Sequence, residues 1–160
     1  MEQKPRHSQY FEGVLQLRNL KNEAIEYVRF LIKENKVTIA KEINEKSGID
    51  LYLSSKKFLH QLAKRLKSEF REGELKVNPK LFSEKDGKYI YRLTVLFRMP
   101  EFKKGDVLRY KGKVFRVERI GNDVSGSDIL TKEKVRVKMA LLLKNYRFIA
   151  KEGEEIPELD

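Results

Sequence analysis

The chain contains no cysteine and only two histidines among its 160 residues. Without cysteine there can be no disulfide framework, no thiol nucleophile and no zinc site built on thiolates, and His7 and His60 supply the only imidazoles. His60 falls among cationic neighbours on the polar side of a predicted helix, away from any second metal ligand. Because metal sites need clustered ligands, we expect no metal and no cofactor.

Long apolar segments are also missing from the sequence. No run approaches the roughly 20 residues that a membrane-spanning helix requires. The first residues, MEQKPRHSQY, lack the apolar core of a signal peptide. The sequence therefore predicts a cytoplasmic protein.

Positive charge, in contrast, is abundant. Lysine and arginine together number 35 against 24 acidic residues, which gives a formal net charge of +11. Charge of this sign favours nucleic acid as a partner, with an anionic membrane surface second. The imbalance is greatest in FRMPEFKKGDVLRYKGKVFRVERI, Phe97–Ile120, which holds eight basic and three acidic side chains. A fold does not need such an imbalance, so the segment indicates an anionic partner.

The first part of the chain alternates strand and helix patterns. The segment YFEGVLQL predicts a strand. Asn22 is a candidate N-cap for a helix that ends at Asn35. Residues 37–53 predict a hairpin that turns at Ser47 and Gly48. A second helix is predicted from Ser54 or Ser55 to about Arg71. Its apolar face is formed by Phe58, Leu59, Leu62, Ala63, Leu66 and Phe70.

Two further strands follow around Asp86 and Gly87, a strong tight-turn pair. Tyr89 and Tyr91 alternate with the apolar residues of the last strand, which favours core positions, although both rings would suit base stacking. The order β-α-β-β-α-β-β predicts an α+β domain over residues 8–99, with two layers and both helices on one face of the sheet.

Pro100 interrupts this pattern, and a domain boundary is expected between Met99 and Phe102. Beyond it the helical period disappears, and five short strands are predicted in GDVLRY, VFRVERI, DILT, VRVKMALLL and YRFIA. This spacing predicts a small β-barrel, SH3-like or OB-like, over residues 100–151. GNDVSGSD lacks the GxxxxGK[ST] pattern of a phosphate loop and is interpreted as a barrel loop. Residues 152–160 are expected to form an acidic, solvated tail or a linker.

Two groups of cations are candidates for RNA binding. The outer face of the second helix offers Lys56, Lys57, Lys64, Lys67 and Arg71. The start of the predicted barrel offers Lys103, Lys104, Arg109, Lys111, Lys113 and Arg116. Strand alternation sends Arg109 and Arg116 outward, and a rigid ribbon would present them to phosphates without ordering a long loop. The alternative for any single lysine is a solvated surface position.

The sequence contains no recognisable catalytic motif. Ser54, Ser55 and Ser125 lack the context of a nucleophile elbow, and the acids Glu118, Asp123 and Asp128 are dispersed. We therefore expect a protein that is not an enzyme and has no small-molecule substrate.

Three blocks of the sequence carry a resemblance to a known family. They are YFEGVLQLRN, GIDLYLSSKKFLHQLAKRLKSEF and YRLTVLFRMPEFKKGDVL. Together they resemble the central part of the nonsense-mediated mRNA decay protein three family, the ribosomal large-subunit export adaptor, and most of all its archaeal members. The resemblance implies a ribosomal-protein-like RNA-binding domain followed by a domain like that of the hypusine-bearing translation factor. It also implies a monomeric factor that binds rRNA and ribosomal proteins of the large subunit, with assembly factors as further partners, during late subunit maturation.

The sequence differs from the family that it resembles, because the zinc modules of that family are missing from it. It contains no cysteine that could bind the zinc. It is therefore either part of a longer protein or a shortened natural one. No TGKHG-like loop is present, so no hypusine is expected, and no leucine-rich export signal follows Ala150. For an archaeal-type member, blocking premature subunit joining or tRNA entry is the expected role. The alternative function is a protein-interaction adaptor that binds a ribosomal protein or assembly GTPase and uses its charge only for solubility.

Overall fold

The computed structural model describes residues 10–159, apart from the side chains of Lys85 and Tyr89. His7 lies outside the described residues. The chain divides into two units, one running to Glu69 and continuing over Leu75–Met99, the other formed by Phe70–Glu74 and the chain from Pro100 onward. Both units are built on a β-sheet.

In the first unit, one mixed sheet is combined with two helices. Its elements are β1 (Gly13–Arg18), α1 (Asn22–Glu34), β2 (Ile39–Glu45), β3 (Gly48–Leu53), α2 (Lys56–Glu69), β4 (Glu74–Lys85) and β5 (Lys88–Arg98). The strands lie in the order β2-β3-β1-β5-β4, with β1 antiparallel to β3 and parallel to β5. The predicted order of strands and helices is confirmed.

One face of this sheet carries both helices. Alternate residues of β1 and β5, including Leu15 and Val95, are fully buried. At Gly13 an added Cβ would lie 2.6 Å from Leu59 of α2, so the missing side chain lets the helix approach the strand. Helix α1 lies beside α2, as a hydrogen bond between them shows. The hydroxyl of Tyr27 in α1 accepts this bond of 2.8 Å from Arg65 in α2.

The helix ends agree only in part with the prediction. The hydroxyl of Ser55 accepts a hydrogen bond of 3.1 Å from the backbone N–H of Phe58, which makes Ser55 the N-cap of α2. The prediction of Asn22 as the N-cap of α1 is wrong, since Asn22 is already helical. The N-cap position is held by Lys21, which makes no side-chain cap bond. Helix α2 ends at Glu69, before the predicted end at Arg71, and Phe70–Glu74 groups with the second unit.

The β4-β5 hairpin turns at Asp86 and Gly87, as predicted. Both residues have positive φ, 51° and 73°, the geometry of a tight primed turn. Leu93 of β5 is buried, but the side chain of Tyr91 is 45% exposed. The predicted core position of Tyr91 is wrong, since nearly half of this residue is exposed. The side chain of Tyr89 lies outside the described residues.

An antiparallel sheet forms the second unit. Its elements are β6 (Val107–Tyr110), β7 (Lys113–Ile120), β8 (Asp123–Asp128), β9 (Lys134–Lys138), α3 (Met139–Leu142) and β10 (Arg147–Ala150). The strand order is β10-β6-β7-β8-β9. Among residues 10–159 no pairing joins β10 to β9, so the sheet of this unit is open as described. Taken over both units, the predicted combination of helices and strands is confirmed.

Three segments of this unit differ from the prediction. GNDVSGSD, expected as a loop, supplies β8, while DILT, expected as a strand, begins with the end of β8 and continues into a turn. The carboxylate of Asp128 fixes that turn by accepting hydrogen bonds from the backbone N–H groups of Leu130 and Thr131. The segment MALLL, expected in a strand, begins with the short helix α3.

The second sheet packs apolar residues on both of its faces. One cluster contains Leu108 and Phe115, while Val107, Val114 and Ala150 form a cluster on the opposite face. Ile156 and Leu159 of the C-terminal segment pack on this second cluster. These two residues of the expected acidic tail or linker are therefore packed on the second unit, whereas the described glutamates of the segment are exposed.

None of the described helices is long and apolar enough to cross a membrane.

Candidate nucleic-acid interface

Helix α2 presents its basic residues unequally. Lys57 and Lys64 lie on the exposed side of the helix, opposite the buried Leu59 and Leu62. The ammonium group of Lys56 instead donates a hydrogen bond of 3.3 Å to the carbonyl of Tyr91. The exposed side of α2 therefore holds two well-presented cations.

The other two cations predicted on this face have different positions. Lys67 is partly buried at the end of α2, and Arg71 follows the helix in the segment that groups with the second unit. Both side chains already interact within the chain. His60 is exposed on α2. The structure thus does not place all five predicted cations on one helical surface.

The turn between β6 and β7 holds Lys111 and Lys113 in fixed backbone positions. Lys111 and Gly112 both have positive φ, 47° and 78°, and Tyr110 pairs directly with Lys113. This is the geometry of a two-residue hairpin turn, which projects the side chains of both lysines into solvent. The ammonium of Lys111 lies 5.4 Å from the centroid of the Tyr110 ring. The hairpin is a compact, cationic projection, as predicted.

Arg109 and Arg116 lie on the face of the second sheet that also carries Val107 and Val114, here called the arginine face. Arg109 pairs with Val114, and Val107 pairs with Arg116, so each arginine shares its face with a buried valine. Both arginines are half-buried. The predicted alternation is correct, but the arginine face has an apolar core of its own.

Arg116 already has a partner within the chain. Its guanidinium donates a hydrogen bond of 2.6 Å to the carbonyl of Gly105. In the same loop, the carboxylate of Asp106 accepts hydrogen bonds from the backbone N–H groups of Lys103 and Glu152. Arg116 therefore holds a loop in place, which leaves Lys103 and Lys104 exposed on an ordered backbone.

The sequence interpretation missed two arginines. Arg147 of β10 lies directly opposite Arg109 of β6, and no signal in the sequence gives that register. Arg92 of β5 stacks between two aromatic rings, those of Phe11 and Phe82. The alternation of polar residues in β5 predicts the face on which Arg92 lies, but not the rings that flank it.

The dispersed acids of the second unit are engaged in local contacts. Glu118 accepts a hydrogen bond from the hydroxyl of Ser127, and this bond, together with the nearby charge of Lys134, holds the pKa of its carboxyl below the usual range. The pKa of Asp128 is also lowered, by its hydrogen bonds from the backbone of Thr131 and Leu130. Asp123 pairs with Arg136 at 2.8 Å.

No group of three or more histidines and acids lies close enough to hold a metal ion in the part of the chain that the structure describes. The carboxylates of Glu118, Asp123 and Asp128 are separately paired and stabilise their own strands and turns. Their arrangement suits local structure, and the exposed cations suit the binding of phosphate groups.

Comparison with known proteins identifies the family. The sequence matches the family model described as NMD3, second domain, over residues 10–99, more than half of the chain. A search of curated proteins gives no match. The resemblance found in the three sequence blocks is thereby confirmed. The chain belongs to the NMD3 family, whose members are non-catalytic, ribosome-associated factors of the large subunit.

Proposed function

We propose that this protein is a non-catalytic factor that binds the large ribosomal subunit in late maturation through rRNA phosphates and ribosomal proteins. The observation that carries the proposal is the family match over residues 10–99, in a chain with a net charge of +11. A cytoplasmic location and a monomeric state belong to the same proposal. So does a finer description of the second unit as a small SH3-like or OB-like barrel.

The cations of the second unit support this function. Lys111 and Lys113 stand on a tight turn, and Lys103 and Lys104 on a loop that Arg116 and Asp106 hold in place. Ordered backbones present these charges to phosphates with little loss of conformational entropy on binding. Contacts of this kind position a protein on structured RNA, whose shape then selects the site.

A protein-interaction adaptor is the second candidate, because the β4-β5 hairpin exposes apolar side chains. Leu81, Ile90 and Tyr91 are all at least 40% exposed. Such a surface suits a ribosomal protein or an assembly GTPase as partner. In this alternative the charge of the chain serves only solubility.

The salt dependence of binding to purified large subunits distinguishes the two candidates. The variant Arg109→Gln, Lys111→Gln, Lys113→Gln removes three charges from the second unit. Its matched control, Lys21→Gln, Lys33→Gln, Lys46→Gln, removes three exposed charges from the first unit. Glutamine retains a long side chain, so the comparison isolates charge and its position.

For the wild type we expect the logarithm of the affinity to fall steeply and linearly with the logarithm of the salt concentration. The hairpin variant should bind more weakly at low salt, with a slope smaller by about one for each phosphate that it no longer neutralises. The control should keep the wild-type slope. A shallow wild-type slope, or equal behaviour of both variants, would favour the adaptor.

A further inference from the structure

Arg92 of β5 is held between the rings of Phe11 and Phe82. Its guanidinium carbon lies 3.7 Å from the centroid of Phe11 and 3.5 Å from that of Phe82. At these distances the planar guanidinium is in contact with both rings, an arrangement that combines cation–π attraction with stacking. The side chain of Arg92 is therefore ordered before any ligand arrives.

This stack lies on the face of the first sheet that the helices leave uncovered. Arg92 has the same strand parity as Thr94, and Thr94 and Tyr52 both pair with Val14 of β1. The Tyr52 ring meets Phe11 edge-on, with a centroid distance of 4.9 Å. Tyr52, Phe11, Arg92 and Phe82 thus form one continuous row, which is called the stack below. Leu93, of opposite parity, is buried on the helix side.

The N–H donors of Arg92 find no acceptor in the stack. The guanidinium carries five such donors, and the rings of Phe11 and Phe82 beside it supply no oxygen or nitrogen to accept them. Within residues 10–159 no carboxylate or carbonyl accepts a hydrogen bond from Arg92. An oriented cation without an acceptor suits an incoming phosphate or the edge of a base.

Phe82 forms the outer end of the stack, and more than half of this residue, 53%, is exposed although its ring contacts Arg92. A flat, exposed ring beside an ordered arginine is a suitable platform for a nucleobase. A paired helix would conceal its base faces from such a platform, whereas an unpaired nucleotide offers them.

We propose that the helix-free face of the first sheet binds an unpaired RNA nucleotide. The base stacks on Phe82, and Arg92 donates hydrogen bonds to the phosphate or to the base edge. The net charge of +11 favours RNA over a neutral peptide as occupant. This site deepens the proposed function and rests on its rRNA contact, because it assigns single-stranded rRNA to the first unit.

Fluorescence anisotropy with a labelled, unstructured oligouridine and with an RNA duplex of equal length tests the proposal. The variants are Phe82→Ala, which removes the platform, and Arg92→Lys, which keeps the charge but loses the planar group. Phe30→Ala is the matched control, since Phe30 lies on α1 of the same unit and is 57% exposed. All proteins comprise residues 1–160 and are compared at one salt concentration.

We expect Phe82→Ala and Arg92→Lys to weaken oligouridine binding about fivefold or more, the effect of removing one base stack. Phe30→Ala should bind as the wild type does, and duplex binding should change less than twofold in every variant. Thermal unfolding verifies that each variant is folded. If Phe82→Ala is unfolded, Phe82→Leu keeps apolar bulk without an aromatic face and replaces it.

Equal affinities of Phe82→Ala and Phe30→Ala for oligouridine would overturn the proposal. A loss of binding to intact large subunits, without a loss of binding to oligouridine, would also overturn it and would indicate a protein partner for this face. If the wild type binds neither free RNA nor large subunits, the proposed function itself is wrong.

Discussion

Arg109 of β6 and Arg147 of β10 are directly opposed in the second sheet, so two cations share one cross-strand pair. Neither side chain has a carboxylate partner within residues 10–159. Like charges in this position destabilise a sheet, whereas an anion between them would remove the repulsion. The pair is therefore an energetic cost in the free protein and a favourable feature for binding phosphate.

The substitution Arg147→Gln should consequently change stability and RNA affinity in opposite directions. Removal of the repulsion should raise the free energy of unfolding by a few tenths of a kcal/mol at low salt. RNA affinity should fall, with a smaller salt slope. Urea unfolding and RNA titrations measure the two effects. Lys144→Gln removes an exposed charge outside the paired strands and serves as the control; a stability gain equal in both variants would contradict the account.

Arg18 and Asp50 form an ion pair of 2.7 Å between β1 and β3, and both side chains are largely buried. Replacement of Asp50 by Ala should cost about 3 kcal/mol in the free energy of unfolding, because it leaves a buried charge without its partner. The exposed pair of Asp123 and Arg136 provides the comparison. Asp123→Ala should cost less than about 1 kcal/mol.

A double-mutant cycle on Arg18 and Asp50 separates the pair from the individual side chains. The variant Arg18→Ala, Asp50→Ala should be less destabilised than the sum of the two single variants, by about 1 kcal/mol or more. Strict additivity in denaturant unfolding would mean that the two side chains are not coupled.

Gly126 of β8 lies close to the backbone of β7. An added Cβ would lie 1.8 Å from the carbonyl oxygen of Arg116, so the strands would have to separate. We expect Gly126→Ala to lower the free energy of unfolding by about 3 kcal/mol. At Gly121 the nearest atom to an added Cβ is 3.9 Å away, so Gly121→Ala should be nearly neutral. Similar thermal midpoints for the two variants would show that β7 and β8 do not pair as described.

Asp128 should contribute to stability in a pH-dependent manner. Hydrogen bonds from Thr131 and Leu130 lower its pKa in the folded state, so its stabilising contribution is complete above the pKa of the unfolded chain. The contribution is lost as the pH falls through the pKa of Asp128 in the folded state, which lies below the usual aspartate pKa of about 4. Asp128→Asn keeps an acceptor oxygen but cannot titrate.

The thermal midpoint of the wild type should therefore fall more than that of Asp128→Asn between about pH 5 and pH 3. Parallel curves for the two proteins would contradict the assigned role of Asp128. Since the side chain is exposed, the difference should be small and should decrease with added salt.

The first unit could be predicted in detail because its signals are local. Leu59 and Leu62 of α2 repeat at helical spacing, Ser55 caps the helix, and Asp86 with Gly87 fixes a hairpin turn. The exposure of Tyr91 was not predictable, because strand alternation gives the face on which a residue lies but not how much of that residue is covered.

The second unit was harder to predict because its strands are short and polar. Strand β8 reads as a loop, since only Val124 is a large apolar residue in DVSGSD, and close pairing at Gly126 determines its conformation. Likewise, the opposition of Arg109 and Arg147 depends on a pairing between residues distant in sequence. Charge indicates a binding function, but only the register of the sheet shows which cations meet.

Selective binding to the large subunit is the central claim, and co-sedimentation of this chain with purified large subunits, small subunits and protein-free RNA over a salt series tests it most directly. We predict retention by large subunits at salt concentrations that release the protein from small subunits and from free RNA. Equal, salt-sensitive binding to all three would contradict the claim, because it would leave the chain with general RNA affinity only.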